Sequence, residues 1–154
     1  MSNKIKKLSI KVEKGGMMCP RLGEIIQQTL TIKNNGQVWW TALRNLTEEE
    51  RAKGFSYDGI CIGNIKLSEY KNIGKDNALK ILEKAQEVLP TKIDTEYKHF
   101  ICDATPDEIY IEYENGERLF GQSIDFLSDS DDVENFYDYL AEELLIENLL
   151  IFGD

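Results

Sequence analysis

The residues best suited to covalent chemistry are one histidine, His99, and three cysteines, Cys19, Cys61 and Cys102. A thiol nucleophile needs an imidazole within hydrogen-bond reach. Cys102 lies three residues beyond His99, and on a strand that spacing sends the two side chains to opposite faces. Cys19 and Cys61 have no local link to His99. The four read as packed thiols and an ordinary histidine. Metal spacing is missing too, with no Cys-x-x-Cys and no His-x-x-x-His. The run Asp129-Ser130-Asp131-Asp132 fails as a calcium loop: its sixth position is Glu134 and its twelfth Leu140, where glycine and a carboxylate are needed. That run reads instead as the acidic N-terminus of a helix. Gly59 and Gly63 are not spaced to cradle a phosphate. The sequence therefore predicts no catalytic residue, no metal and no cofactor. An enzyme of unrecognised type is kept only as a distant alternative.

The acids carry the stronger signal. Glu134, Asp138 and Glu142 stand at i, i+4 and i+8 of a predicted helix. Each like-charged neighbour pair costs a few tenths of a kcal/mol on an isolated helix. That helix holds no lysine or arginine. Glu142, Glu143 and Glu147 fall near its C-terminus, where the dipole disfavours negative charge. Glu112 and Glu114 alternate with Ile109, Ile111 and Tyr113, so they face away from them. If helix and strand expose neighbouring faces, a broad anionic surface results. Local costs borne together suggest a gain elsewhere, and a basic partner would supply one.

Elements must place these acids. Residues 7–13 alternate Leu8, Ile10 and Val12 with Lys7, Ser9, Lys11 and Glu13, a half-buried strand whose lysines suit a sheet edge. Residues 24–33 and 37–43 flank Asn34-Asn35-Gly36, a hairpin signal. A three-residue loop puts Leu30, Ile32, Val38 and Trp40 on one face. Trp39 and Trp40 then cannot share a core. Thr47 and Glu50 have capping-box spacing for one helical turn. Residues 59–70 read as a strand, 76–89 as a helix capped by Asp76 or Asn77 and stopped by Pro90, and 96–103 as a strand. Residues 108–114 and 117–123 flank Asn115-Gly116, a second hairpin signal. Residues 131–147 make the last helix, with Val133, Phe136, Tyr137, Leu140 and Leu144 inward. The predicted architecture is one α+β domain over residues 1–154: an antiparallel sheet built from two Asn-Gly hairpins plus further strands, with two main helices packed on it.

Composition sets the outer bounds. The chain has 154 residues and a net charge of −10. Residues 1–102 carry a net of +5 and residues 103–154 a net of −15. The overall charge argues against direct binding of nucleic acid. No apolar run approaches the roughly 20 residues of a membrane span, and the lysine-bearing start lacks an apolar signal core. Three separated cysteines fit a reducing compartment, so a cytoplasmic location is expected.

The leading expectation is a non-enzymatic acidic module. It binds a basic protein surface, such as one that normally holds nucleic acid, through Glu134, Asp138, Glu142, Glu112, Glu114 and Trp39. Rows of carboxylates can stand in for phosphates, and immunity proteins, antitoxins and phage inhibitors resemble this chain in charge. The alternative is a small-ligand or peptide-binding domain with an aromatic groove near Trp39 or Trp40, joined by Phe55 and Tyr57. A homodimer fits an exposed tryptophan equally well. The ending Glu147-Asn-Leu-Leu-Ile-Phe-Gly-Asp154, with the Asn-Gly hairpin and the acidic helix, resembles small uncharacterised domains of Gram-positive bacteria and their phages. Gly153 between Phe152 and Asp154 departs from their pattern. The resemblance covers about the last third of the chain and implies a docking tail, not an activity.

Overall fold

The computed structural model describes residues 3–13, 22–52, 65–96, 107–123, 131–147 and 149. Seven strands form one antiparallel sheet: β1 (Ile5–Glu13), β2 (Ile25–Lys33), β3 (Gln37–Arg44), β4 (Ile65–Asn72), β5 (Ile93–Asp94), β6 (Glu108–Tyr113) and β7 (Arg118–Ser123). Their spatial order is β4-β3-β2-β1-β6-β7-β5. Helix α1 is a single turn (Glu48–Glu50); α2 (Lys75–Val88) and α3 (Asp132–Leu144) are the main helices. The α+β class with an antiparallel sheet is as expected.

Strand alternation decides what the sheet buries. Leu8, Ile10 and Val12 of β1 point into one core with Leu30, Ile32, Val38, Trp40, Ile109 and Ile111. Leu30 stands opposite Trp40 and Ile32 opposite Val38, so these four do share a face. Trp40 donates its indole N–H to buried Gln28 Oε1 at 2.9 Å. This satisfies a polar pair that would otherwise be costly to bury. Gly36 N–H bonds the Lys33 carbonyl at 3.1 Å, and Gly116 N–H bonds the Tyr113 carbonyl at 3.0 Å. Both glycines take positive φ, +100° and +90°, which side-chain-bearing residues avoid.

β1 lies in the middle of the sheet, between β2 and β6. The expectation that its lysines protect an edge is corrected. Lys7 and Lys11 line the sheet's second face, and a strand buried on one side only shows the same alternation whether it is central or terminal.

The helices cover the core face by crossing it. β4 and β5 are the opposite edges, and α2 connects them. It buries Ala78, Ile81, Leu82 and Ala85 on the way. It starts after Gly74 with no side-chain cap, so neither Asp76 nor Asn77 plays that part. α3 runs back over the same face. Its first turn pairs Asp132 with Lys92, beside β5, at 3.7 Å. Its last turn meets Lys71 of β4. The expected inward stripe appears as Val133, Phe136, Leu140 and Leu144, all buried, while Tyr137, expected with them, is only partly buried. Asp131 sits at the N-cap but makes no side-chain capping bond; the acidic start of α3 meets the positive end of the dipole and, through Asp132, Lys92.

The link after β3 is tied by side chains. Thr47 Oγ1 accepts from Glu50 N–H and Glu50 Oε1 accepts from Thr47 N–H, the expected reciprocal cap. Arg44 then grips both Glu50 oxygens at 2.8 and 3.2 Å. The Arg44 hydrogen bond and the Thr47 amide hold the Glu50 carboxyl down at about 2. No helix among the described residues is long and apolar enough to cross a membrane.

Candidate functional site

α3 builds the acidic row. Because Val133, Phe136, Leu140 and Leu144 anchor one stripe in the core, Glu134, Asp138 and Glu142 are left exposed on the outer face. Successive members at i, i+4 spacing sit about 6 Å apart. Glu143 and Glu147 are exposed as well. Among the described residues no cation pairs with Glu134, Asp138 or Glu142.

The helix ends are better supported than the sequence suggests. α3 has no basic residue of its own, yet Lys71 Nζ donates to the carbonyls of Leu144 at 2.7 Å and Leu145 at 3.2 Å. That places a cation on the negative end of the dipole. Leu145 adopts a left-handed conformation, φ 53°, which terminates the helix. The C-terminal cost read from Glu142 and Glu143 is therefore partly offset by a residue seventy-three positions away.

The structure does not bring the other candidates to this row. Glu112 lies on the opposite face of the sheet from α3, opposed by Lys7 on one side and Arg118 on the other. Glu114 sits in the turn after β6, where Asn34 Nδ2 reaches it at 3.5 Å. Trp39 also occupies the face opposite α3. The sheet thus separates α3's acids from Glu112 and Trp39, because adjacent elements in sequence can still lie on opposite sides of one layer.

That second face has a chemistry of its own. Direct cross-strand partners line up Tyr70, Trp39, Thr31, Ser9, Tyr110 and Phe120 across six strands. Trp39 and Tyr70 touch with ring centroids 5.3 Å apart, and Tyr110 and Phe120 lie 6.4 Å apart. The Ser9 and Thr31 hydroxyls share a 3.1 Å hydrogen bond between them. Lys33 Nζ lies 5.0 Å over Trp39, and Lys7 Nζ 5.9 Å over Tyr110. Tyr70 is 53% and Phe120 46% exposed. No described helix packs on this face. Trp39 is half-buried by these neighbours, while Trp40 lies in the core at 7% exposure and lines a cleft of about 340 Å³ with Ile25, Arg44 and Glu69. Phe55, Tyr57, His99 and all three cysteines lie outside the described residues.

Sequence reading missed two further groups. One is Lys71, which looks like an ordinary strand lysine until β4 is set beside the end of α3. The other is Asp107, which accepts a 2.8 Å hydrogen bond from the Tyr137 hydroxyl. Burial pushes its carboxyl up to about 6, opposed by that hydrogen bond. The sequence around Asp107 gave no hint of its burial. A groove of about 470 Å³ is lined by Gln27, Thr29, Thr41, Leu43, Lys66 and Ser68, with no pair of groups poised for proton transfer. Among the described residues no three His, Cys, Asp or Glu side chains gather as a metal site.

Comparison with known proteins adds no relative. No protein-family model matches the chain, and no curated protein matches it.

Proposed function

We propose that this chain is an interaction module that binds a basic protein surface through the outer face of α3. One observation carries the reading: Glu134, Asp138 and Glu142 stand exposed in a single row, and among the described residues no cation is paired to any of them. Lys71 and Lys92 are engaged at the two ends of the helix instead. The row is held rigidly, since the same helix buries four large or branched apolar side chains beneath it. A rigid line of carboxylates presents repeating negative charge without paying much ordering entropy on contact, which favours fast, electrostatically guided association. A protein surface that normally accepts phosphates fits that spacing of charge. Glu112 and Trp39, on the other side of the sheet, would contact a different partner surface from the α3 row.

The test compares two forms of the tagged protein in parallel: wild type and a variant with Glu134→Lys, Asp138→Lys and Glu142→Lys. Captured proteins are eluted with rising salt and identified by mass spectrometry. The wild type is expected to retain a basic protein released as salt screens the contact. The variant is expected to lose it. Equal capture by both forms would refute the assignment to α3.

A further inference from the structure

The second face of the sheet carries two lysines between aromatic walls, an arrangement that suits an acidic helix. Lys7 and Lys33 stand directly opposite each other across β1 and β2. Like charges so placed are locally unfavourable. Neither lysine forms an ion pair among the described residues, although Lys7 also stands opposite Glu112 of β6; each lies over an aromatic ring. The rings form two walls, Trp39 with Tyr70 and Tyr110 with Phe120. Level with the rings the floor between them holds the short side chains of Ser9 and Thr31, flanked by Lys7 and Lys33 on one side and by Lys11 and Thr29 on the other. β3 and β6 are separated by three interstrand steps, so the walls stand about 14 Å apart. An α-helix with side chains is roughly 10–12 Å across. The trough runs along β1 and β2; Lys11, farther along β1, is held by Glu13 at 3.0 Å and stands opposite Glu108, so Lys7 and Lys33 supply the open cations.

α3 matches that site on two counts. Its charge is opposite. Its end carries Leu145, which is 78% exposed, while Tyr70 and Phe120 are the exposed apolar groups of the trough. We infer that the sheet face docks the outer face of α3 from a second copy of this chain. This rests on the reading of α3 as a docking helix and names one partner for it: a copy whose sheet face would hold the α3 row until a basic protein displaces it. The contact joins two different surfaces, so it builds open head-to-tail assemblies unless its rotation closes a ring. Each copy carries −10, so the general repulsion keeps the assembly weak and concentration-dependent.

The experiment is sedimentation equilibrium on three proteins over a range of concentration, with circular dichroism to verify folding. They are wild type, the sheet variant Lys7→Glu/Lys33→Glu, and the α3 variant Glu134→Lys/Asp138→Lys/Glu142→Lys. The wild-type mass should climb with concentration past that of a dimer. Each variant alone should associate at least about tenfold more weakly. Mixing the two should restore association, because each reversed surface now meets its complement. The variants carry −14 and −4, so unspecific attraction between them cannot mimic that rescue. If a variant loses its fold, Lys7→Gln/Lys33→Gln replaces the sheet variant, and wild-type self-association remains decisive. A wild type that stays monomeric throughout overturns the inference, as does undiminished association of either variant. A fluorescent oligothymidine is added to the monomeric fraction. Lysine-dependent binding without self-association would also overturn it, and would give the face to single-stranded nucleic acid. A basic partner captured equally by the sheet variant, without self-association, would remove this inference and leave the α3 reading standing. Self-association without any basic partner would do the reverse.

Discussion

Replacing Asp107 with asparagine should stabilise this protein at neutral pH. The carboxyl is withdrawn from water at the start of β6, and its folded value is about 6 against an ordinary 3.8. A carboxyl raised on folding takes up a proton more readily in the folded state than in the unfolded chain. The folded state is thus penalised above about pH 6, and the penalty fades as pH falls toward 4. Two units of difference correspond to roughly 3 kcal/mol at pH 7 and about half a kcal/mol at pH 4. Asparagine cannot ionise, and its carbonyl oxygen can still accept from the Tyr137 hydroxyl. Urea unfolding followed by circular dichroism, at several values between about pH 4 and 8, measures the difference between the two proteins. The variant should gain about 1–3 kcal/mol at pH 7, shrinking toward zero at pH 4. Comparing the two proteins cancels the other carboxylates. Glu50 is the important one to cancel, because its lowered value gives stability above its unfolded value that is lost as pH falls toward 2. A difference that is flat across this range would refute the assigned burial of Asp107, whatever its sign.

Two more substitutions test how the layers are joined. Lys71→Met keeps most of the aliphatic stem but removes the donor to the Leu144 and Leu145 carbonyls, and should cost about 1–2 kcal/mol, with faster amide exchange confined to the last turn of α3. Amide exchange that rises evenly across the chain would argue against a local cap. Gln28→Leu leaves the Trp40 indole N–H buried without its acceptor and should cost about 1–3 kcal/mol. Adding Trp40→Phe to that variant should recover part of the loss, and a strictly additive double mutant by thermal melting would contradict the pairing.

Much of the sheet could be read from spacing alone. Thr31 and Trp39 are equidistant from Asn35, and Tyr110 and Phe120 from Asn115, so each pair stands opposed once the chain turns there. The stripe of α3 was equally legible, because burial of Val133, Phe136, Leu140 and Leu144 follows the helical period. That same period exposes Glu134, Asp138 and Glu142. The split of Trp39 from Trp40 followed from alternation, though which of them enters the core did not.

Local periodicity records which way a side chain points relative to its own element. It holds no information about what stands on the other side of that element. The sequence therefore determined the α+β class, the strand pairs around the two turns and the exposed acidic row. Only tertiary structure decided that β1 is central, since pairing with β6 joins segments about a hundred residues apart. That single long-range pairing sets Ser9 beside Tyr110 and so fuses two aromatic pairs into one row. It also puts Glu112 and Trp39 on the face away from α3, and the crossing of α3 carries its last turn to Lys71. Each of these contacts depends on how layers stack, which is set by burying one shared apolar core and not by any neighbouring residue.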